Sequence, residues 1–222
     1  MKTQSSKILS RRSRPAKAPL SVDAILSAAL DILTREGLEG LSLRKVAAAL
    51  DTGPASLYVY VDNLDSLLAL MLDRALGKVV IPSRAKGGWR ERLSTLLHSY
   101  LKVLLSIPGL GQLALTTMSS GQNSLRGLEA VLGLLREGGI DDDRVAWAAD
   151  MLSLQVVAVA AEQDARRRQA DPLDSFEQTL NAISARTHPN IHALREKLFL
   201  GTPRERIRWA IDVLINGILH TP

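Results

Sequence analysis

The chain of 222 residues contains no cysteine and few aromatic side chains, with two Phe, three Trp and three Tyr. The absence of cysteine excludes disulfide bonds, thiolate nucleophiles and zinc sites built on thiolates. A reducing compartment fits this composition, so we expect a cytoplasmic protein. Because aromatic residues are scarce, the core must be built from Leu, Ala, Val and Ile, which favours helices.

A long apolar run and a catalytic motif are also missing. The longest mostly apolar stretch, 145–161, is interrupted by Asp150 and Gln155 and is short for a bilayer span, so we predict a buried helix and no membrane contact. No Gly-rich phosphate loop or nucleophile elbow occurs, and Glu162 and Asp164 are two residues apart, so they do not share a helical face. The sequence therefore gives no support to an enzyme, and no cofactor is predicted.

Histidine is scarce as well, with four residues in the chain. His188, His192 and Glu196 are spaced four apart, which could place three metal ligands on one helical face. Pro189 places His188 at or before the start of that helix, which spoils the geometry. We interpret the three residues as an exposed cluster and predict no metal site. Metal binding by the histidine pair stays open as the alternative.

Charge is distributed unevenly along a chain whose total is +5. Residues 1–20 contain six Lys or Arg and no acid, so the remaining chain carries −1. With two prolines and few apolar residues, this segment is predicted to be a flexible basic arm. Such an arm can bind DNA phosphates or a minor groove, and a solvated tail without a role is the alternative.

Apolar residues recur at helical spacing through the rest of the chain, and no strand pattern or repeat competes. The sequence predicts an all-α protein with a first domain over 21–80 and a second over 81–222. A linker with proline and glycine separates them at 82–88. Predicted helices cover 22–36, 43–50, 54–60 and 64–79 in the first domain, and 89–106, 110–118, 124–137, 141–168, 173–186 and 203–219 in the second.

Two short helical patterns meet at a sharp turn within 41–68, LSLRKVAAALDTGPASLYVYVDNLDSLL. In the first, apolar residues at i, i+3, i+4 and i+7 from Leu43 form one buried face, and Ser42 is placed to cap it. The turn 51–53 contains glycine, and Pro54 suits the first turn of a second helix. That helix presents small, hydroxylated and aromatic residues, as a recognition helix for a DNA major groove does in a helix-turn-helix. A helical hairpin that only packs is the alternative.

The segments GLEGLSLRKVAAAL, SLYVYV and NLDSLL resemble the amino-terminal domain of the TetR family of one-component bacterial repressors, in register over 21–68. The resemblance implies a three-helix DNA-binding domain followed by a helical domain for ligand binding and dimerisation. It also implies that Arg44 reaches a base edge from the first helix of the motif. The other predicted DNA contacts are Pro54, Ala55 and Ser56 on bases, and Ser42, Tyr58 and Tyr60 on phosphates.

Family members form homodimers whose recognition helices lie about 34–36 Å apart, one DNA turn, on a palindromic operator. The resemblance therefore implies a repressor that is released by a small-molecule effector. An all-α ligand-binding protein or enzyme with an incidental helix-turn-helix is the alternative. The predicted effector contacts are Thr117, Met118, Trp147, Met151 and Gln155.

The helices 141–168 and 203–219 carry more apolar surface than one small domain needs, so pairing with a second copy would bury the excess. In the TetR family, dimers are similarly built from a late long helix and the final helix of each subunit. The predicted dimer contacts are Ala158, Ile207, Ile211, Leu214 and Ile218.

The sequence departs from the family at the helix after the motif, where members commonly carry a lysine and this chain has Leu64. Residues 21–80 hold five Lys or Arg against eight Asp or Glu, a balance of −3. A DNA-binding domain with that charge gains little DNA affinity from counterion release. We therefore predict that the basic arm supplies the missing cations.

Overall fold

The computed structural model describes residues 19–168 and 172–221, and these residues form helices joined by turns, without a strand. The all-α prediction is confirmed. The basic arm lies outside the described residues, except for positions 19 and 20. The helices are α1 Val22–Glu36, α2 Leu43–Ala49, α3 Leu64–Leu76, α4 Trp89–Leu105, α5 Leu110–Thr116, α6 Gln122–Glu137, α7 Asp142–Arg168, α8 Pro172–Asn181, α9 Pro189–Leu198 and α10 Pro203–His220, with 3₁₀ helices at Pro54–Val59 and Arg84–Lys86.

The first three α-helices begin at side-chain caps, and the cap at Ser42 is the one predicted above. Ser21 and Ser42 accept hydrogen bonds from the backbone N–H groups of α1 and α2, and Asn63 accepts one from Ser66 at 2.8 Å in α3. Each cap satisfies an N–H group that the helix itself leaves without a partner. Local chemistry therefore determines where these helices begin.

Helix α9 was missing from the predicted helices, and α8 ends five residues earlier than predicted, at Asn181. Pro189 starts α9, but none of its residues is buried. A helix without a covered face has no clear apolar stripe in its sequence. The periodicity that revealed the other helices was therefore absent.

Helix α7 is the centre of the second part of the chain, where it packs against α4, α5, α6 and α10. Its closest neighbour is α5, because Gly111 has no side chain: a Cβ there would lie 2.5 Å from the carbonyl carbon of Ala160. The backbone N–H of Gly111 donates to Oδ2 of Asp164 at 2.8 Å, and this carboxylate is only 3% exposed. The contact fixes the start of α5 against α7.

By length and hydropathy alone, α7 could cross a bilayer, and the sharply bent pair α4 and α5 would pass as one broken span. Core helices of soluble proteins meet the same criteria, and 44% of the most apolar window of α7 is buried inside the chain. The prediction of a buried helix over 145–161 therefore describes one face of α7, since Trp147, Met151 and Leu154 on its other side are exposed.

Candidate DNA-binding surface and ligand cavity

The helix-turn-helix is formed by α2, a turn at 50–53 and the 3₁₀ helix Pro54–Val59. Asp51 adopts a left-handed conformation with φ of 50° in this turn. Leu57 and Val61 are buried and anchor the second helix on the core. The second helix begins at Pro54 as predicted, but it is closed by i to i+3 bonds, such as Tyr60 N–H to Leu57 O at 2.9 Å. So short a segment readily takes this tighter form.

Most of the predicted DNA contacts are accessible. Arg44, Pro54, Ala55 and Ser56 are exposed, and Tyr58 is 56% exposed. Among the described residues, Arg44 makes no hydrogen bond or ion pair, so its guanidinium is available to a ligand. These side chains surround the turn of the motif, where a DNA groove would meet them.

Ser42 and Tyr60 have partners inside the chain. The hydroxyl oxygen of Ser42 accepts the Lys45 N–H at 3.3 Å, which leaves its own O–H group free to donate. Tyr60 is half-buried and donates to the carbonyl oxygen of Leu20 at 2.7 Å. Its one O–H hydrogen is thereby used. In this conformation Tyr60 anchors the segment before α1, and its phosphate contact stays a prediction.

Lys45 is also engaged within the motif. Its Nζ lies 2.5 Å from Oε2 of Glu36, at the end of α1. The hydrogen bond from Lys45 and its positive charge lower the pKa of Glu36 below its ordinary value. No local pattern in the sequence indicates this ion pair, because it joins residues nine positions apart across a loop. It further reduces the positive charge that the motif can offer to DNA.

A cavity of about 340 Å³ lies between α3, α4, α6, α7 and the segment that follows α5. Its wall is mostly apolar with a few polar groups, as is usual for small-molecule sites. The apolar residues that define it include Leu72, Leu76, Val79, Leu96, Val131 and Val157, and the polar ones include Tyr100, Thr117, Asn123, Ser124, Arg126 and Asp150. Burial raises the pKa of Tyr100 to about 12, so this phenol remains a protonated donor.

Two of the five predicted effector contacts line this cavity. Thr117 and Met118 belong to its wall, with Met118 97% exposed. Trp147, Met151 and Gln155 do not line it, and Trp147 is 76% exposed on the outer side of α7. These three residues lie apart from the cavity because α7 turns a different face towards it, and their contact with an effector stays a prediction. That face could not be chosen from α7 alone, since both sides of the helix are apolar.

Two groups of polar contacts join α3 and the residues just after it to the amino-terminal part of α6, and we call them the α3–α6 joint. In one, Asp73 accepts from the Ser124 backbone N–H at 2.9 Å and from the Asn123 side chain at 3.0 Å. In the other, Arg126 Nη2 donates to the carbonyl oxygens of Gly77 at 3.3 Å and Val79 at 3.4 Å. Since Asn123, Ser124 and Arg126 also line the cavity, the joint forms part of its wall.

The predicted dimer residues on α10 are largely covered by their own chain. Ile211 is fully buried, Ile207 is buried, and Leu214 and Ile218 pack half-buried against the same core. Ile207 and Ile211 are thus covered within the single chain, and their place in a dimer seam stays a prediction. Of the predicted set, Ala158 on α7 is exposed.

Other apolar side chains of α7 and α10 are exposed. The exposed set on α7 is Trp147, Met151 and Leu154, the last of which also lines the cavity, and on α10 it is Trp209 and Val213. On both helices the spacing of three or four residues places them on one face. We call this set, together with Ala158, the α7–α10 outer face.

His188 is the residue immediately before α9, where Pro189 led us to expect it. One ring nitrogen lies 3.0 Å from the hydroxyl of Thr187. In the described part of the chain, no group of three His, Asp or Glu residues is arranged to hold a metal ion.

The sequence matches two family profiles. Residues 25–71 match the bacterial regulatory proteins of the tetR family, and residues 81–221 match the tetracyclin repressor-like C-terminal domain. A transcriptional repressor from Streptomyces coeruleorubidus, DrrR1, is 39% identical over 163 residues, which cover 71% of this chain and 60% of DrrR1. A transcriptional regulator from Saccharopolyspora erythraea is 33% identical, and 65% of its length is matched. The chain thus spans less than two thirds of these two relatives.

Solved structures match over a larger share of their length. Apo ActR from Streptomyces coelicolor is 35% identical with a TM-score of 0.81, covering 91% of this chain and 98% of ActR. ActR in complex with actinorhodin is 34% identical with a TM-score of 0.82, covering 91% and 96%. Profiles over both parts of the chain and a shared fold agree with the resemblance noted in the sequence. The chain belongs to the TetR family of bacterial transcriptional regulators.

Proposed function

We propose that this chain is a cytoplasmic, ligand-responsive repressor that binds a palindromic DNA operator as a homodimer. The observation that carries the proposal is that α3 connects the proposed DNA-binding domain to the cavity. It follows the helix-turn-helix and packs against α1, which in turn packs against α2 of the motif, and its residues Leu72, Leu76 and the nearby Val79 line the cavity. The name of DrrR1 and the ligand complex of ActR support the two activities. We infer no enzymatic activity.

Residues 21–80 would act as the DNA-binding domain and 81–222 as the effector and dimerisation domain. An effector in the cavity would contact α3 directly and favour the position of α3 that best fits the ligand. If that position sets a wrong distance between the two recognition helices of a dimer, operator affinity falls through linkage. Release of DNA then follows because the effector binds more tightly to the dimer with the wrong distance between recognition helices than to the dimer that fits the operator.

Dimerisation would use the α7–α10 outer face. Its exposed tryptophans, Trp147 and Trp209, lie on the two helices that already pack together within one chain. Pairing this face with its copy would create a symmetric interface of four helices. Aromatic anchors of this kind are common at the centre of interfaces.

The basic arm, residues 1–18 of which lie outside the described part of the chain, would neutralise DNA phosphates. The net charge of −3 over residues 21–80 supports this proposal, and the ion pair between Lys45 and Glu36 further reduces the positive charge available to DNA. Deleting residues 1–18 should lower affinity for all DNA and flatten the dependence of log affinity on log salt by about 0.9 for each phosphate that the arm had neutralised. An unchanged salt dependence would indicate that the arm is a solvated tail without a role in DNA binding.

A gel-shift assay with DNA flanking the gene tests the function. The wild-type protein should bind one sequence specifically, and Arg44→Ala should cost about 1–3 kcal/mol and relax specificity at one position per half-site. Arg35→Ala is the matched control, because it removes the same charge from an exposed position on α1. Absence of specific binding by the wild-type protein would favour an all-α ligand-binding protein or enzyme instead.

A further inference from the structure

The charged groups around the cavity are few. Among the described residues that line it, Arg126 is the only cation and Asp150 the only carboxylate. Both residues are exposed to solvent, where water screens their charges. Arg126 is held in the wall by the α3–α6 joint, next to the apolar surface of Leu76 and Val79. The cavity therefore offers a guanidinium beside an apolar wall.

The hydrogen bonds of Arg126 are long. Its Nη2 donates to two backbone carbonyls, Gly77 O at 3.3 Å and Val79 O at 3.4 Å, beyond the usual range for N–H···O bonds. A carboxylate or similar oxyanion would accept from the same guanidinium at about 2.7–2.9 Å, roughly twice as strongly as a neutral acceptor. An anionic ligand would thus compete successfully for Arg126.

The remaining polar groups also favour an oxygen-rich ligand. Tyr100 and Thr117 carry hydroxyls that can donate, and the Asp73 carboxylate nearby already accepts from Ser124 and Asn123. These hydroxyls can donate to oxygen acceptors of a ligand.

We propose that the effector is an apolar molecule with an anionic oxygen group, and that this group takes Arg126 away from the carbonyls at the end of α3. This inference rests on the proposed function, since it assigns a ligand class to the same cavity. Release of Arg126 from these carbonyls leaves Asp73 as the remaining half of the α3–α6 joint. Occupancy of the cavity would thereby loosen the end of α3 that follows the DNA-binding motif.

Two fluorescent probes that differ in one group test the proposal. 8-Anilinonaphthalene-1-sulfonate is apolar and anionic, and N-phenyl-1-naphthylamine is the same framework without the sulfonate. We expect the wild-type protein to bind the anionic probe about tenfold more tightly, as one charge-assisted hydrogen bond provides. Arg126→Met should remove this preference and leave the affinity for the neutral probe within about twofold. Arg204→Met, which removes an exposed arginine that does not line this cavity, should leave the preference for the anionic probe intact.

A second pair of variants locates the probes. Gly127 lines the cavity and a side chain there would meet open space, so Gly127→Leu should fill the cavity and weaken both probes. Gly133 has equally open space on the same helix but does not line the cavity, so Gly133→Leu should change neither affinity. If Arg126→Met still bound both probes in the cavity and kept the preference for the anionic probe, only the assignment of Arg126 as the anion-binding residue would be wrong. If Gly127→Leu weakened neither probe, the proposed ligand site and this inference would both fail.

Discussion

Asp73 on α3 accepts two hydrogen bonds from Ser124 on α6, one from the backbone N–H at 2.9 Å and one from the hydroxyl at 3.0 Å. Residue 121, which precedes α6, is glycine and has no side chain to cap the helix. A Cβ at Gly121 would lie 2.2 Å from the Asp73 carboxylate. One half of the protein thus supplies the cap for a helix of the other half.

Replacing Asp73 by alanine should remove this cap and leave polar groups of α6 without partners. We expect the free energy of unfolding to fall by about 1–2 kcal/mol, measured by urea denaturation. Asp62→Ala is the control, since Asp62 is exposed and has no partner among the described residues. Equal stability of the two variants would show that the Asp73 contacts contribute nothing measurable.

Releasing Lys45 should strengthen DNA binding. Because Lys45 holds the pKa of Glu36 below its ordinary value, Glu36 is ionised at neutral pH and the pair persists there. In Glu36→Gln, Lys45 becomes free to meet a phosphate, so affinity should rise and the salt dependence steepen by about 0.9 for each phosphate that it neutralises. Glu39→Gln removes the same charge from an exposed site without freeing a lysine. Equal salt dependence of both variants would mean that Lys45 reaches no phosphate.

The two neighbouring tyrosines should differ in their roles. Tyr60→Phe removes the hydrogen bond to Leu20 O, so we expect it to cost about 1 kcal/mol of stability in thermal or urea unfolding. Tyr58→Phe should leave stability unchanged and weaken binding to all DNA sequences alike, because a phosphate contact carries no sequence information. A changed base preference in Tyr58→Phe would indicate that this residue reads bases.

The close crossing of α5 and α7 should not accept a larger residue. In Gly111→Ala, the new Cβ would meet the backbone of Ala160 and Ala161 at 2.5–2.7 Å, and backbone atoms cannot rotate away. We expect a decrease of about 1–3 kcal/mol in the free energy of unfolding by urea. Gly133→Ala, in an open site within α6, should instead gain about 0.5–1 kcal/mol. The prediction fails if the two variants change stability in the same direction.

Measuring the mass of the protein in solution tests whether the α7–α10 outer face forms the dimer interface. Val213→Arg should place a charge in the proposed apolar seam and yield monomers with unchanged helical content and weaker operator binding. Val213 is 46% exposed in the single chain, so the substitution does not disturb its core. Leu125→Arg, at a position on α6 that is 48% exposed, is the matched control. A wild-type mass for Val213→Arg would place the interface elsewhere.

The sequence by itself determined most of the helices and the helix-turn-helix. Capping by Ser21, Ser42 and Asn63, and the turn before Pro54, depend on residues within a few positions of one another. Apolar spacing then identified the helices that have one covered face. These signals are local, so they can be read without knowing how the chain folds back on itself.

Only the tertiary structure decided which face of each helix is covered and which distant groups meet. On α10, Ile211 and Trp209 are both large and apolar, but the first is buried and the second is 71% exposed. Likewise, the sequence could not show that Tyr60 reaches Leu20, or that Arg126 joins the wall of the cavity. Such contacts depend on how helices pack in three dimensions, and helices with apolar residues on two sides can pack in more than one way.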